Sequence, residues 1–289
     1  GFGGEVSVKG DVPYPLCPPD GVIVRMRATG VCRSDWHGWM GHDGDIHSWF
    51  KKNEGRAFTP GHELAGEIVE SGTSKFNVGD RVAIPFILSC GCCNSCNRGR
   101  ATVCLHQEQP GFTFPGSYAE FVAIPRANRN LTVLPNNVSY LEAAALGCRF
   151  TTAFRALIQQ GKLTAGQRVA VIGSGGLGLA SIMVARAAGA GEVWAIDVRR
   201  EALDKAQEVE PATESALLTT DGHNTLYEES RPGQCIEFDL TIECSGFASG
   251  CEVAVRILRP GGRMVQVGLC LGKEQPVVPM GLVTAQEIE

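Results

Sequence analysis

The run Gly173-Ser174-Gly175-Gly176-Leu177-Gly178 limits what this chain can fold into more than any other stretch. It fits G-x-G-x-x-G, and its neighbours give it meaning. Arg168 to Ile172, just before it, is apolar without alternation, as a strand buried on both faces is. Leu177 to Ala188, just after it, is rich in alanine and small apolar residues and reads as a helix. A strand that turns on glycine into a helix presents open N–H groups and a positive dipole to a pyrophosphate. Gly173 permits the tight turn, Gly175 lets the backbone approach the ligand, and Gly178 lets helix pack on strand. Gly176 and Leu177 fill the variable positions between them. Glu192 to Ile196 is a second strand, and Asp197 ends it, about 20 residues beyond the glycines. A carboxylate there grips ribose hydroxyls and repels a 2′-phosphate, which points to NAD rather than NADP. Arg199 and Arg200 follow and pull the other way. Without strand, helix and acid, the same glycines would read as a turn with no ligand.

Asp239 to Glu243 and Arg263 to Val267 read as later strands, the second fed by a turn at Arg259-Pro260-Gly261-Gly262. This alternation predicts a doubly wound α/β domain. The first half differs. Val22 to Arg27, Gly66 to Glu70, Arg81 to Phe86 after the Gly79-Asp80 turn, and Tyr118 to Ile124 predict a small antiparallel, barrel-like domain. Between the halves, Ser139 and Glu142 form a capping box, with helices expected over Tyr140 to Leu146 and Thr151 to Gln160. A length of 289 residues suits two domains, placed at 1–146 and 147–289.

Cys90, Cys93, Cys96 and Cys104 form C-x2-C-x2-C-x7-C, a ligand rhythm rather than a disulfide framework. Four thiolates suit a tetrahedral zinc site, closed to chemistry. A bacterial ferredoxin run ends C-x3-C-P, whereas here the last gap is longer and Leu105 follows. Cys92 competes with Cys93, and the regular spacing favours Cys93. Buried or paired cysteines are the plain alternative. The rest of the 12 cysteines read as small hydrophobes in a reducing compartment. A net charge of -5 argues against nucleic acid as the main partner. No apolar run reaches the roughly 18 residues of a membrane span, and no basic-then-apolar leader is visible, so the cytoplasm is expected.

Five stretches, in this order, resemble the zinc-containing medium-chain alcohol dehydrogenases. They are Gly30-Val31-Cys32-Arg33-Ser34-Asp35-Trp36-His37, Pro60-Gly61-His62-Glu63, the cysteine lobe at 90–104, Leu146-Gly147-Cys148-Arg149-Phe150-Thr151-Thr152, and the glycine run. The resemblance spans essentially the whole chain. It implies a GroES-like catalytic domain joined to a Rossmann domain, two zinc ions per chain, and NAD. The implied reaction is oxidation of an alcohol to an aldehyde or ketone, and its reverse, with hydride transfer to the nicotinamide. Cys32, His62 and Cys148 are implied as ligands of a catalytic zinc; two sulfurs and an imidazole are a known set with an open fourth position. None of the three would be singled out alone. Glu63, beside the ligand histidine, would sit behind the ligands or exchange onto the metal during turnover, and Asp35 would fix the tautomer of His62. Ser34 and His37 would relay the substrate proton, although Ser34 also suits a helix N-cap. Arg33 would pair with the pyrophosphate, and Thr152 would pack on the nicotinamide.

Trp36, Trp39, Met40 and Trp49, with His42, Asp45 and His47, read as a loop with aromatic anchors, or as the wall of a roomy apolar pocket opposite Phe86. His106 and His223 read as surface residues. Members of the family extend beyond the equivalent of Glu289, so the resemblance implies C-terminal truncation here and a homo-oligomer in the full-length form. The expected partner is a small alcohol, aldehyde or ketone. Two other functions compete. A zinc-free quinone or enoyl reductase is opposed by the Cys32, His62 and Cys148 set. A zinc-stabilised NAD-binding module without turnover is favoured by truncation.

Overall fold

A computed structural model describes residues 2–53, 57–218, 237–270 and 275–289. His223 lies outside the described residues. The chain divides into two compact units, Gly1–Cys148 and Arg149–Glu289.

In the first unit, β1 (Val22–Gly30) leads into helix α1 (Arg33–Trp39) and α2 (Gly44–Lys52). There follow β2 (Glu63–Ser71), β3 (Arg81–Ile84), α3 (Asn94–Asn97), β4 (Phe121–Ile124), α4 (Ala127–Asn130), β5 (Thr132–Val133) and α5 (Tyr140–Ala145). The strands pair antiparallel in the order β4-β1-β2-β3-β5. β3 and β4 alternate as half-buried strands should, with Val82, Ile84, Val122 and Ile124 inside. These side chains join Val22, Val24, Leu64, Ile68 and Phe76 in one core, each stabilising the unit by about 1.5–3 kcal/mol.

A second, smaller core fixes the route to the metal ligands. Ser139 caps α5, accepting from the Glu142 N–H at 3.2 Å while the Glu142 carboxylate accepts from the Ser139 N–H at 2.7 Å. Ala143 and Ala144 then press against Ala65 of β2. Alanine on both sides permits close approach of helix and sheet. Beyond α5 the helix widens into a π-turn over Leu146–Phe150, which carries Cys148. α6 (Thr151–Phe154) and a second π-turn at Arg155–Gln160 complete the stretch expected from the sequence as one helix.

In the second unit, β6 (Arg168–Ile172), α7 (Gly176–Ala187), β7 (Glu192–Asp197), α8 (Arg200–Val209), β8 (Glu214–Leu217), β9 (Phe238–Glu243), α9 (Ala248–Arg256) and β10 (Leu258–Gln266) alternate. Their strands run parallel in the order β10-β9-β6-β7-β8. Val169 and Val171 face one core, and Ala170 and Ile172 the other. Burial on both faces is why β6 shows no alternation. The strand order reverses between β6 and β9, the place where such sheets bind ligands beyond their carboxyl ends. The Arg259 to Gly262 stretch falls within the bounds of β10 but leaves its pairing with β9 between Leu258 and Arg263, with Gly261 at φ +70°. No helix among the described residues is long and apolar enough to cross a membrane.

Candidate active site

Cys32 is the N-cap of α1. Ser34, considered for that place, sits inside the helix instead, because the Asp35 carboxylate takes the Cys32 N–H at 3.0 Å. Asp35 does more than cap. Its Oδ1 accepts from Gly61 N at 3.1 Å and from His62 Nδ1 at 2.9 Å, and its Oδ2 accepts from the Tyr118 hydroxyl at 2.9 Å. One buried carboxylate thus gathers the start of α1, the Gly61-His62 pair and the approach to β4. Gly61 is required there: its φ is +102°, and a Cβ would fall 2.4 Å from Ser117 Oγ.

The ligand atoms of Cys32, His62 and Cys148 all lie within 4.8 Å of one another. His62 is 1% exposed. Its Nδ1 is committed to Asp35, and its Nε2 is buried with no hydrogen-bond partner. A buried ring nitrogen costs free energy if nothing meets it, and a metal ion meets it. The donor chemistry agrees: two thiolates and a neutral imidazole carry charge opposite to Zn²⁺. The Cys148 thiol and the His62 ring, working against burial, bring the Cys32 thiol down to about 4. Burial pushes the His62 imidazolium down, but Asp35 and Cys32 outweigh it and raise the ring to about 9. Both shifts say that the pocket calls for positive charge. Glu63 is fully buried, with its carboxylate lying where a Cβ of Gly30 would fall.

Ser34 Oγ lies 3.8 Å from Cys32 Sγ, beside the ligand set. His37 follows on α1, and its Nδ1 is 3.1 Å from His42 Nδ1. Burial, and then the Arg33 and His42 charges, depress the His37 pKa below its ordinary value. Arg33 stacks over Trp36 with its guanidinium carbon 5.0 Å from the ring centre. The loop expected around His42 to Trp49 is corrected to a helix, because Asp43 accepts from the N–H groups of Asp45 and Ile46 and starts α2. Trp36 and Trp39 are exposed, whereas Phe86 and Phe112 stand over the His62 ring at 6.2 and 5.1 Å between centres. Sequence reasoning missed Phe112 and Tyr118, which reach the site only through tertiary packing, and the His37–His42 contact, which depends on how the chain turns after α1.

In the lobe, the sulfurs of Cys90, Cys93, Cys96 and Cys104 also lie within 4.8 Å of one another. Backbone N–H groups point at them: Cys93 N to Cys90 Sγ, Cys90 N to Cys104 Sγ and His106 N to Cys104 Sγ, each at 3.3 Å. The N–H groups of Cys92 and Cys93 lower the Cys90 thiol to about 5. These donors suit thiolates gathered on a cation. Cys92 is exposed and outside the group of four, with its sulfur 3.7 Å from Cys90 Sγ. His106 is an exposed side chain.

In the second unit, Gly173 has φ +89°, and a Cβ there would meet Ser245 N at 2.7 Å. Gly178 has no room for a Cβ, which would lie 1.9 Å from the Gly173 carbonyl oxygen. Gly175 and Gly176 are exposed at the start of α7, with Leu177 beside them. Asp197 ends β7; its Oδ2 accepts from Ser174 N at 2.7 Å and its Oδ1 from Arg199 N at 2.9 Å. Thr152 lies on α6, half-buried.

Known proteins match this arrangement. The family model described as alcohol dehydrogenase GroES-like domain matches residues 18–136, and that described as zinc-binding dehydrogenase matches residues 176–289. An alcohol dehydrogenase of Geobacillus stearothermophilus is 34% identical over 274 residues, covering 93% of this chain and 75% of that protein. The chain belongs to the zinc-containing medium-chain alcohol dehydrogenase family. Two solved structures share its fold at 25% identity. An alcohol dehydrogenase from Escherichia coli CFT073, complexed with NADH, gives a TM-score of 0.81 and covers 96% of this chain and 76% of its own. A zinc-binding dehydrogenase from Sinorhizobium meliloti 1021, bound to NADP, gives 0.80, with 96% and 78% covered. Membership makes this chain an oxidoreductase of the family, oxidising alcohols with a nicotinamide cofactor.

Proposed function

We propose that the protein interconverts a small alcohol and its aldehyde or ketone with NAD, around a zinc ion held by Cys32, His62 and Cys148. A second zinc is held by Cys90, Cys93, Cys96 and Cys104 as a structural site. The buried, partnerless Nε2 of His62, within a ring of ligand atoms no more than 4.8 Å apart, carries this reading. When bound, zinc supplies Lewis acidity to the alcohol oxygen and the nicotinamide supplies a hydride acceptor.

The chain's own residues do the rest. Asp35 keeps the proton of His62 on Nδ1, so Nε2 presents its lone pair. Ser34, beside Cys32, accepts the proton of the substrate hydroxyl, and His37 takes it on toward solvent. The depressed pKa of His37 favours its neutral ring, the form that can take a proton. Phe86 and Phe112 form the apolar side of the substrate place and exclude water around His62. Glu63 sets the charge behind the ligand histidine. Arg33 pairs with the cofactor's pyrophosphate, and Thr152 packs on its nicotinamide ring. The Asp197 carboxylate, held in place by the Ser174 and Arg199 N–H groups, selects NAD by repelling a 2′-phosphate.

The deciding experiment follows NAD reduction over a panel of alcohols with wild type and Cys32→Ala, alongside zinc content per chain. Wild type should carry two zinc ions, and Cys32→Ala should keep NAD binding while losing turnover and one ion. Undiminished turnover in Cys32→Ala would refute the catalytic zinc, and a preference for NADP would refute the role of Asp197.

A further inference from the structure

Gly176 occupies a variable position of the glycine fingerprint, yet it is glycine, and α7 begins on it. A neighbour in space accounts for it. A Cβ built on Gly176 would lie 2.9 Å from Arg149 Cδ and 3.0 Å from Arg149 Nη1. The far end of the Arg149 side chain therefore rests on the first residue of α7. Gly175 and Gly176 are exposed, and nothing lies within 4 Å of where a Gly175 Cβ would stand. The N–H groups of this first turn have no acceptor within the helix. Ser174, two residues before α7 and 2% exposed, has a buried hydroxyl with no hydrogen-bond partner. The turn thus holds polar capacity that the fold alone leaves unmet, and a guanidinium already lies beside it.

We propose that Arg149 is a positioning residue for the cofactor, gripping its pyrophosphate over the first turn of α7. This rests on the dinucleotide reading given above. A guanidinium is suited to the task, because its planar fork matches two phosphate oxygens at once and its charge is permanent. Gly176 is the seat that leaves room for the end of the Arg149 side chain beside the first residue of α7. The ribose is left to Asp197 at the end of β7, and Arg149 acts on the phosphates.

The test is calorimetric binding of ADP-ribose and of adenosine to the zinc-loaded protein, with wild type, Arg149→Gln, Arg149→Lys and Gly176→Ala. Arg149→Gln should weaken ADP-ribose about 10- to 100-fold, the range of a lost charge-assisted pair, and leave adenosine unchanged. Arg149→Lys should recover part of the loss, and its binding should keep the wild-type sensitivity to salt. Gly176→Ala should displace the flexible end of Arg149, so its effect and that of Arg149→Gln should not add in the double variant. Zinc content, measured because Cys148 is adjacent, should be unchanged throughout. ADP-ribose affinity in Arg149→Gln within about twofold of wild type would overturn the proposal, as would an equal loss for adenosine or a loss of zinc. Wild type that fails to bind ADP-ribose would overturn the dinucleotide reading itself, and this proposal with it.

Discussion

Asp35→Asn is the sharpest perturbation of the ligand set, because it keeps size and removes only charge and acceptors. The carboxylate takes four donors: Cys32 N, Gly61 N, His62 Nδ1 and the Tyr118 hydroxyl. An amide offers one carbonyl oxygen, so one pair of donors is kept and the other meets an NH₂ group. Two lost bonds to a charged acceptor, at about 1.5–3 kcal/mol each, give about 3–6 kcal/mol, in line with about 3–5 kcal/mol for breaking a buried charged network. In a unit of this size each kcal/mol moves Tm by about 2–4 °C, so a fall of about 6–24 °C is expected. The metal suffers separately. If the NH₂ group faces His62 Nδ1, the ring carries its proton on Nε2, and zinc affinity should fall about 10- to 100-fold. Differential scanning calorimetry reads the first effect and chelator competition with zinc counted per chain reads the second. An unchanged Tm with unchanged zinc retention would show that Asp35 does not organise the site.

Other consequences are simpler to check. Cys93→Ser should cost the lobe its zinc while Cys92→Ser keeps it, and equal metal content in the two variants would undo the choice of Cys93. Burial pushes Asp239 up, but the Arg168 N–H at 2.7 Å and the Arg259 guanidinium outweigh it and hold its carboxyl below the usual range. Its stabilisation is therefore complete above the ordinary carboxylate pKa and is lost as pH falls through the depressed value; the stability gap between wild type and Asp239→Asn in urea should close on acidification, and a constant gap would contradict the pairing. Ser139→Ala removes the α5 cap and should cost about 1 kcal/mol in chemical denaturation, with no cost meaning that α5 is held by packing alone.

Legibility followed physical range. β6, α7 and β7 could be read because burial on both faces writes an unbroken apolar run and the turn demands glycine. The start of α2 could not, because Gly41-His42-Asp43-Gly44 looks like a turn until the Asp43 side chain is seen to take two N–H groups. Cys32, His62 and Cys148 were legible only as parts of longer motifs, and Cys148 alone looks like packing. Tyr118 was out of reach, since it meets Asp35 across 83 positions and its neighbours read only as a strand. Phe112 shares that fate: its ring faces His62 through tertiary packing that leaves no periodic trace.

The π-turn at Leu146–Phe150 sets a limit of another kind. A π-turn holds one residue more than α geometry accommodates in the same span. Deleting a residue there would restore the ordinary winding and swing Cys148 by about 100° about the helix axis relative to Ala143 and Ala144, which are fixed against the sheet. A single-residue insertion just upstream would swing it the opposite way. Side-chain replacements around Leu146 can be absorbed by local repacking, but a change in residue count cannot. The length of this segment is therefore constrained as tightly as the identity of its cysteine, and tolerance to indels between Ser139 and Cys148 should be far lower than tolerance to substitution.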